Sequence, residues 1–209
     1  MKPETTANIR ALCDNANPRH ADGWAWPEKA FMLCERIEFE KPSLVVELGV
    51  FGGRSMLPMA LQLKENGSGV IFGIDPWMSQ PCLEGEMERE NKEWWAKVNL
   101  EDVMHRFFNQ VINLGLSDIA VPIRATSQAC ARLFPEGSID LLHIDGNHSE
   151  LASLRDIDNY FLKVRLGGLI CLDDIHWPSN QAAVRKLDSL CSVILDIKSE
   201  LGQCRLYRK

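Results

Sequence analysis

Residues 44–53, Leu-Val-Val-Glu-Leu-Gly-Val-Phe-Gly-Gly, join a short apolar run to a loop that contains three glycines. An apolar run of this length that ends at glycine is typical of a strand buried on both faces. Residues 54–65 follow with a helical pattern, and Pro58 falls in the first turn, where proline is tolerated. The stretch therefore predicts a strand, a tight loop and a helix in direct succession, which is the repeating unit of an α/β domain.

The same alternation continues along the chain. Four further apolar runs predict strands at 70–75, 121–125, 139–145 and 168–173. Two helical patterns lie between them, at 127–134 and 149–164. Strands that are apolar almost throughout and are separated by helices indicate a parallel sheet that is covered on both faces.

The C-terminal residues break this alternation. Residues 192–197 and 204–207 have the pattern of strands, and the short turn at Gly202 leaves no room for a helix between them. They therefore predict an antiparallel hairpin. The predicted fold is α/β: a doubly wound, seven-stranded sheet, mostly parallel, with a C-terminal antiparallel hairpin and helices on both faces.

Two segments stand apart from the main domain, which we place at 43–209. Residues 1–42 predict an N-terminal helical extension, in which Pro27 begins a helix with an apolar face. We expect that face to cover either the domain or a partner subunit in a homo-oligomer. Residues 76–118 are too long for an ordinary connection and too polar for a core, with a helical pattern at 102–114, so this insertion is either a functional lid or a surface elaboration.

The composition excludes several classes of function. The chain has 209 residues and a net charge of −6, and an acidic protein with dispersed Lys and Arg is a poor candidate for binding nucleic-acid phosphates. The sequence has no apolar run of the ~20 residues that a membrane helix needs, and it begins without the apolar segment of a secretory signal. Seven scattered cysteines without a C-x-x-C pair argue against a disulfide framework or a structural zinc site. We therefore expect a cytoplasmic protein with a small-molecule partner and with neither a nucleic-acid nor a membrane partner.

Acidic residues stand where the predicted strands end, and ligands of open α/β sheets bind at that edge. Four of the five predicted parallel strands end in an acid, which is rarely expected by chance with 29 acidic residues among 209. The polar residues at these ends are Glu47, Asp75, Ser127 with Gln128, Asp145, and Asp173 with Asp174. This edge is therefore the predicted functional site.

The loop after the first strand predicts the kind of ligand. Its glycines, at 49, 52 and 53, let the backbone turn sharply and approach a ligand closely, but their spacing differs from the dinucleotide pattern G-x-G-x-x-G. Glu47, just before the loop, would repel phosphate oxygens, whereas an acid in the position of Asp75 commonly accepts hydrogen bonds from a ribose diol. Together they predict a nucleoside ligand without phosphates. The alternative is that the loop is only a tight turn and Asp75 only a helix cap.

These motifs resemble those of the class I S-adenosylmethionine-dependent methyltransferases, and the resemblance extends over nearly all of 43–209. Residues 45–53 are similar to the first motif of that family, residues 73–75 to its ribose-binding motif, and the terminal hairpin to its antiparallel last strands. The resemblance implies a Rossmann-like fold and S-adenosylmethionine as the cofactor. The cofactor-binding residues that it implies are Glu47, Gly49, Gly52, Gly53, Ser55, Asp75, Ser127, Gln128 and Asp145.

Two later loops resemble those of metal-dependent small-molecule O-methyltransferases, the catechol-type and antibiotic sugar-modifying enzymes. Residues 144–148 and 172–177 are similar to the metal-binding strand ends of those enzymes, which implies that Asp145, Asp173 and Asp174 are the metal ligands. Physical chemistry supports this independently, because three carboxylates at adjacent strand ends repel one another unless a cation compensates. Carboxylate oxygens select Mg²⁺, Mn²⁺ or Ca²⁺. The alternative is that Asp174 caps the next helix and Asp173 faces solvent.

Three histidines lie near these strand ends. His148 stands three residues after Asp145, where the catechol-type enzymes carry a lysine base, and it either accepts the substrate proton or only orders the loop. His176 is placed to line the acceptor pocket or to join the metal site, and His143, within a strand, is expected to be a core histidine. Four tryptophans are candidates for pocket walls or for ordinary packing: Trp24, Trp26, Trp77 and Trp177.

The sequence as a whole predicts an enzyme, a methyltransferase that acts on a small molecule with adjacent oxygens, with Asp145 and His148 as catalytic residues. The metal would lower the pKa of one substrate oxygen and His148 would remove its proton. Three other functions remain open: a nucleotide-dependent oxidoreductase, a metal-dependent hydroxylase or hydrolase, and a non-catalytic cofactor-binding protein on the same scaffold. The glycine spacing and the carboxylate cluster argue against the first. Product formation without S-adenosylmethionine would indicate the second, and cofactor binding with no activity for Asp145→Ala to remove would indicate the third.

Overall fold

A sheet of seven strands forms the centre of the computed structural model, which describes residues 1–86 and 89–209 and every side chain within them except that of Asn91. The strands are β1 (Leu44–Leu48), β2 (Val70–Asp75), β3 (Ala120–Arg124), β4 (Ile139–Ile144), β5 (Val164–Leu172), β6 (Ser192–Ser199) and β7 (Gly202–Arg208). Their order across the sheet is β3-β2-β1-β4-β5-β7-β6. The first five strands pair in parallel, and β7 is antiparallel to both β5 and β6. The predicted sheet and its terminal hairpin are confirmed.

Nine α-helices lie in the described part of the chain. They are α1 (Pro3–Cys13), α2 (Pro27–Glu40), α3 (Met56–Asn66), α4 (Ser79–Cys82), α5 (Arg89–Lys97), α6 (Leu100–Asn113), α7 (Ser127–Cys130), α8 (Glu150–Tyr160) and α9 (Gln181–Leu190). Within the same described ranges, no helix is long and apolar enough to span a membrane. All seven cysteines are free.

Each central strand supplies apolar side chains to both faces of the sheet, because successive side chains of a strand point in opposite directions. Val45 packs into one cluster with residues of α2, α3 and α6, whereas Val46 packs into the opposite cluster with residues of α8 and α9. The same alternation separates Leu141 from Leu142 on β4. The sheet is therefore apolar on both sides, which leaves its carboxyl edge as the natural place for polar chemistry.

The N-terminal helices cover this same domain. Leu33 and Ile37 of α2 are fully buried and belong to the cluster that contains Val45, and α1 and α2 both pack on α3. Of the two expected roles for the apolar N-terminal face, the structure places it on the domain itself. A loop without helix separates α1 from α2, so the helical pattern of the extension is interrupted at residues 14–26.

The predicted lid at 76–118 requires a correction. Phe107 of α6 is fully buried, and its ring stacks at 5.8 Å on that of Trp77, which is 2% exposed. The apolar face of α6 therefore makes this helix part of the core, whereas the side chains described at 78–86, 89–90 and 92–99 are half-buried or exposed. Residues 87 and 88 of the predicted lid lie outside the described residues.

Candidate functional site

The glycine loop lies at the carboxyl end of β1, where Asp75 at the end of β2 holds it. The Asp75 carboxylate accepts hydrogen bonds from the backbone N–H groups of Val50 (3.0 Å), Phe51 (2.9 Å) and Trp77 (2.7 Å). Burial raises the pKa of Asp75, and the three backbone donors partly offset that increase. Since a carboxylate has about four lone-pair positions, one position remains for a ligand hydroxyl.

Gly49 is required by its surroundings. Its φ is +85°, a left-handed conformation that favours glycine, and a Cβ at this position would lie 2.1 Å from the backbone oxygen of Asp145. The glycine loop is thus in direct contact with the strand end that carries Asp145, the first of the three predicted metal ligands.

The other two glycines of the loop face the protein. A Cβ on Gly52 would lie 2.3 Å from the Asp22 side chain, and one on Gly53 would lie 2.4 Å from the ring of Phe107. Their small size therefore lets the loop pack closely on the N-terminal segment and on α6, in addition to any role toward a cofactor.

Glu47 and Ser55 lie beneath the loop in a buried network. The Ser55 hydroxyl donates to Glu47 Oε1, and His143 Nδ1 lies 2.7 Å from the same oxygen. All three residues are 5% exposed or less, and His143 is buried as expected of a core histidine. Its Nε2 has no hydrogen-bond partner in the described part of the chain and lies 3.8 Å from Asp145 Oδ2. Glu47 and Ser55 therefore support β1 and the loop from below.

Ser127 is held by α8. Its hydroxyl donates to Asp156 Oδ1 at 2.6 Å, and its carbonyl accepts a hydrogen bond from the Tyr160 hydroxyl at 2.7 Å. Burial raises the pKa of Asp156 to about 6. Gln128, the other predicted adenine contact, is exposed beside it. Ser127 is therefore half-buried in a hydrogen-bond network, whereas Gln128 faces solvent.

The three predicted metal ligands lie at the neighbouring ends of β4 and β5, but the group whose ligand atoms lie within 4.8 Å of one another here consists of Asp145, Asp174 and His148, without Asp173. The backbone N–H of Asp145 donates to Leu48 O at 2.8 Å, and that of Asp173 donates to Ile144 O at 3.1 Å, so pairing between neighbouring strands extends to both aspartates. Asp174 has a left-handed φ of +49°, which aspartate tolerates better than most residues. The side chain of Asp173 is only 7% exposed, so the alternative in which it faces solvent is wrong.

Lys29, from the first turn of α2, enters the same cluster. Its ammonium contacts Asp145 Oδ2 at 2.8 Å and also contacts Asp173 Oδ2. The side chain is 1% exposed, and its Nζ lies 5.6 Å from the ring centroid of Trp26. Burial lowers the pKa of Lys29, but Asp145 and Asp173 outweigh that effect, and the pKa lies well above its ordinary value.

His148 faces the remaining carboxylate oxygens. Its Nε2 lies 3.1 Å from Asp174 Oδ2 and 3.6 Å from Asp145 Oδ1. Its Nδ1 lies 3.2 Å from the side-chain nitrogen of Asn180, whose amide also donates to the carbonyls of Asp173 and Asp174. An amide nitrogen only donates, so Nδ1 accepts and the neutral ring carries its proton on Nε2.

The charge balance of the cluster fits a divalent cation. Burial raises the pKa of Asp145, but Lys29 and His148 outweigh that effect, so the pKa lies well below its ordinary value. Burial and the neighbouring Asp145 charge raise the pKa of Asp173, because one ammonium does not compensate three carboxylates. Asp173 Oδ1 is buried and, among the described residues, has no hydrogen-bond partner. Ligand atoms of Asp145, His148 and Asp174 lie within 4.8 Å of one another. Hard oxygen donors, excess negative charge and an unpaired buried oxygen together suit Mg²⁺ or Mn²⁺.

His176 and the tryptophans occupy different positions. His176 Nδ1 is 4.0 Å from Asp174 Oδ1, and the Trp177 ring lies 5.3 Å from that of His148, so both border the cluster. Trp26 and Trp77 are core residues, whereas Trp24 is exposed and packs against Phe51, Trp94 and Trp95. Of these four candidates for pocket walls or ordinary packing, Trp177 lies beside His148.

Sequence reasoning missed Lys29 and Asn180. Lys29 gives a signal in the sequence, because Trp26 lies three residues before it and Leu33 four residues after it, on the same face of the helix. A lysine within such an apolar stripe is rarely buried without a partner, so the pattern indicates a buried ion pair. Asn180 gives no comparable signal, since its contacts with His148 and Asp173 depend on how the chain turns after β5.

A family model described as "Methyltransferase domain" matches residues 46–175, which is more than half of the chain. A curated relative, the uncharacterized protein R132 of Acanthamoeba polyphaga mimivirus, is 31% identical over 156 residues. That alignment covers 71% of this chain and 61% of the viral protein.

Solved structures share the fold. The O-methyltransferase NovP superposes with a TM-score of 0.72 at 15% identity, covering 99% of this chain and 98% of NovP. The O-methyltransferase TomG from Streptomyces achromogenes, which is involved in tomaymycin synthesis and was solved with S-adenosylmethionine, superposes with a TM-score of 0.64 at 12% identity. That match covers 100% of this chain and 90% of TomG. At these identities the likeness shows the Rossmann-like fold that the sequence predicted.

Proposed function

The chain belongs to the methyltransferase family whose domain model matches residues 46–175, and on that basis we propose that it transfers the methyl group of S-adenosylmethionine to an oxygen of a small hydroxylated molecule. The acceptor carries two adjacent oxygens, and a divalent cation, Mg²⁺ or Mn²⁺, assists the reaction.

Support for the cofactor comes from the glycine loop and Asp75. Three backbone N–H groups fix the Asp75 carboxylate at the carboxyl end of β2 and leave one position for a ribose hydroxyl. The neighbour TomG was solved with the same cofactor. The acidic surroundings, with Asp145 next to Gly49, also favour a ligand with a positively charged sulfonium.

Support for the cation comes from Asp145, Asp173 and Asp174, which would hold it together with substrate oxygens. When bound, such a cation supplies Lewis-acid activation of a hydroxyl and orients two neighbouring oxygens. Asp145 is the residue that connects the two halves of the site, because its backbone contacts Gly49 while its carboxylate belongs to the cluster. The chain thereby positions acceptor and methyl donor next to each other, and positioning supplies much of the acceleration in such transfers.

His148 is the proposed base. Its Nε2 points toward Asp174 and Asp145, at the edge of the cluster where an acceptor hydroxyl would bind. Because Asn180 donates to Nδ1, the neutral ring carries a proton on Nε2. His148 therefore accepts a substrate proton only after this contact rearranges and the ring proton moves to Nδ1, with Asp174 close enough to stabilise the imidazolium that forms.

One observation carries the proposal: the cofactor loop and the carboxylate cluster meet at Asp145. The test is to incubate the protein with S-adenosylmethionine and a panel of catechols, sugar diols and hydroxy acids, with Mg²⁺ or with a chelator, and to identify products by mass spectrometry. We expect a methylated acceptor together with demethylated cofactor, and less of both with the chelator. Acceptor conversion without S-adenosylmethionine would instead indicate a hydroxylase or hydrolase. Cofactor binding without transfer to any acceptor would contradict a catalytic role.

A further inference from the structure

Lys29 brings a positive charge into the proposed cation site. Its ammonium contacts one oxygen of Asp145 and one of Asp173, and its side chain is 1% exposed. A lysine is rarely buried to this degree unless it is paired, and here both partners belong to the site itself. Lys29 also lies outside residues 46–175, the part of the chain that the family model matches.

We propose that Lys29 sets the divalent-cation affinity of this site, by occupying one oxygen of Asp145 and one of Asp173 and by lowering the net charge of the carboxylate cluster from −3 to −2. The inference rests on the cation part of the proposed function and assigns a residue that neither the strand-end motifs nor the family model includes.

The geometry lets an ammonium and a cation share the cluster. Lys29 contacts Oδ2 of both Asp145 and Asp173. Asp145 Oδ1 points instead toward His148, and Asp173 Oδ1 is buried with no hydrogen-bond partner among the described residues. The oxygens of Asp174 lie on the His148 side as well, with Oδ2 at 3.1 Å from Nε2. A divalent ion held by Asp145 Oδ1, Asp174 and His148, whose ligand atoms lie within 4.8 Å of one another, would therefore leave the Oδ2 atoms of Asp145 and Asp173 to Lys29.

The charges give the direction of the effect. With all three carboxylates ionised and His148 neutral, the carboxylates carry −3, Lys29 reduces this to −2, and one divalent cation then makes the cluster neutral. An ammonium bonded to the same carboxylates repels the ion, and fewer net negative charges weaken the binding of hard cations. In the ion-free protein, however, Lys29 keeps the carboxylates together, because without it they repel one another. Lys29 thus lowers the affinity for the ion while it stabilises the ion-free site.

The direct test is Lys29→Met, which keeps a long side chain and removes the charge. Binding of Mn²⁺ alone, without cofactor or acceptor, is measured by calorimetry and by the paramagnetic resonance signal of the free ion. We expect Lys29→Met to bind Mn²⁺ about tenfold or more tightly than the wild type, and to have a lower Tm without the ion that recovers when Mn²⁺ is added. The matched control is Lys186→Met, since Lys186 pairs with the exposed Asp158 and touches none of the cluster residues; its Mn²⁺ affinity should equal that of the wild type.

A second pair of variants keeps the test valid if Lys29→Met alone does not fold. Asp173→Asn removes the buried acid that Lys29→Met would leave without a partner, so Asp173→Asn is compared with the double variant Lys29→Met/Asp173→Asn. The double variant should bind Mn²⁺ more tightly than Asp173→Asn by a similar factor. Equal or weaker binding after loss of Lys29 in either comparison, or no binding by any of these proteins, would overturn the inference. Because neither S-adenosylmethionine nor methyl transfer enters the measurement, its failure and failure of the methyl-transfer proposal are distinguishable.

Discussion

Asp75 combines two tasks in one side chain, because it orders the glycine loop and faces the proposed ribose position. Both carboxylate oxygens accept backbone hydrogen bonds, Oδ2 from Val50 and Phe51 and Oδ1 from Trp77. An asparagine would place an amide donor against at least one backbone donor, leaving it unsatisfied.

We therefore predict that Asp75→Asn weakens S-adenosylmethionine binding by about tenfold or more and lowers the free energy of unfolding by about 1–3 kcal/mol. Calorimetry and chemical denaturation measure the two effects. Asp118→Asn, at an exposed position, is the control and should change neither. Unaltered cofactor affinity in Asp75→Asn would show that this carboxylate does not bind the ribose.

For His148 we predict that the substitution His148→Gln lowers kcat by about 10²-fold or more, because glutamine can donate and accept hydrogen bonds but does not take up the substrate proton. The affinity for S-adenosylmethionine should stay the same, since none of the contacts of Asp75 involves His148. Steady-state kinetics with an acceptor that the wild type methylates, and calorimetry with the cofactor, separate the two effects. A His148→Gln protein with nearly full kcat would mean that this histidine only orders its loop.

Asp156 gives a prediction about pH. In the folded protein it keeps its proton up to about pH 6, whereas in the unfolded chain an aspartate loses it near pH ~4. Between these values the folded state binds the proton more strongly, so the stabilisation is fully present below pH ~4 and is lost as the pH rises through about 6.

Asp156→Asn removes this dependence. Its free energy of unfolding relative to the wild type should therefore increase from pH 4 to pH 7 by up to about 3 kcal/mol. Urea denaturation of both proteins across this range measures the difference. A difference that is constant with pH would show that Asp156 titrates normally in the folded state.

At the scale of elements, the β1–α3 loop connects the proposed cofactor position at Asp75 with the carboxylate cluster at Asp145. Gly49 combines a left-handed φ with a backbone contact to Asp145, whereas Gly67, which follows α3, has a similar φ of +71° and open space around it. The two glycines separate the cost of the backbone conformation from the cost of the contact.

We predict that Gly67→Ala costs about 1 kcal/mol, the usual penalty of a left-handed residue with a Cβ. Gly49→Ala should cost several kcal/mol and reduce cofactor affinity, because the new methyl group would push β1 and β4 apart where they meet. Thermal denaturation of both variants gives the comparison. Equal losses would show that only the conformation matters at Gly49.

The strands and helices that the sequence predicted are those with a strong local pattern. The runs around β1, β2, β4 and β5 are continuous and apolar because both faces of the sheet are covered, and the hairpin follows from the short turn at Gly202. The prediction for residues 76–118 was wrong for α6 because it judged the polarity of two different segments together. The segment before α6 is polar and dominated the composition, while the buried face of α6 is apparent only when its helical period is considered separately.

The sequence predicted those residues of the site that lie at the ends of the strands. Parallel strands bring their carboxyl ends together, so Asp145, Asp173 and Asp174 could be grouped from sequence alone. The pattern around Lys29 indicates only a buried, paired lysine. Neither Lys29 nor Asn180 could be assigned to this cluster from the sequence, because each comes from a segment whose position depends on tertiary packing. Lys29 reaches the cluster from 116 residues away in the chain.

At the scale of the whole molecule, the N-terminal helices are part of both the core and the site. Leu33 and Ile37 pack under the sheet, and Lys29 of the same helix completes the carboxylate cluster. Folding of the N-terminal segment and assembly of the site are therefore coupled, although the family model begins only at residue 46.

The measurement that tests the methyltransferase proposal most directly is a calorimetric titration of the intact protein with S-adenosylmethionine and with its demethylated product, each with and without Mg²⁺. We predict binding of one cofactor molecule per chain, weakened about tenfold or more in Asp75→Asn, with heats that change when Mg²⁺ is present. Absence of binding of either compound, with or without Mg²⁺, would contradict it.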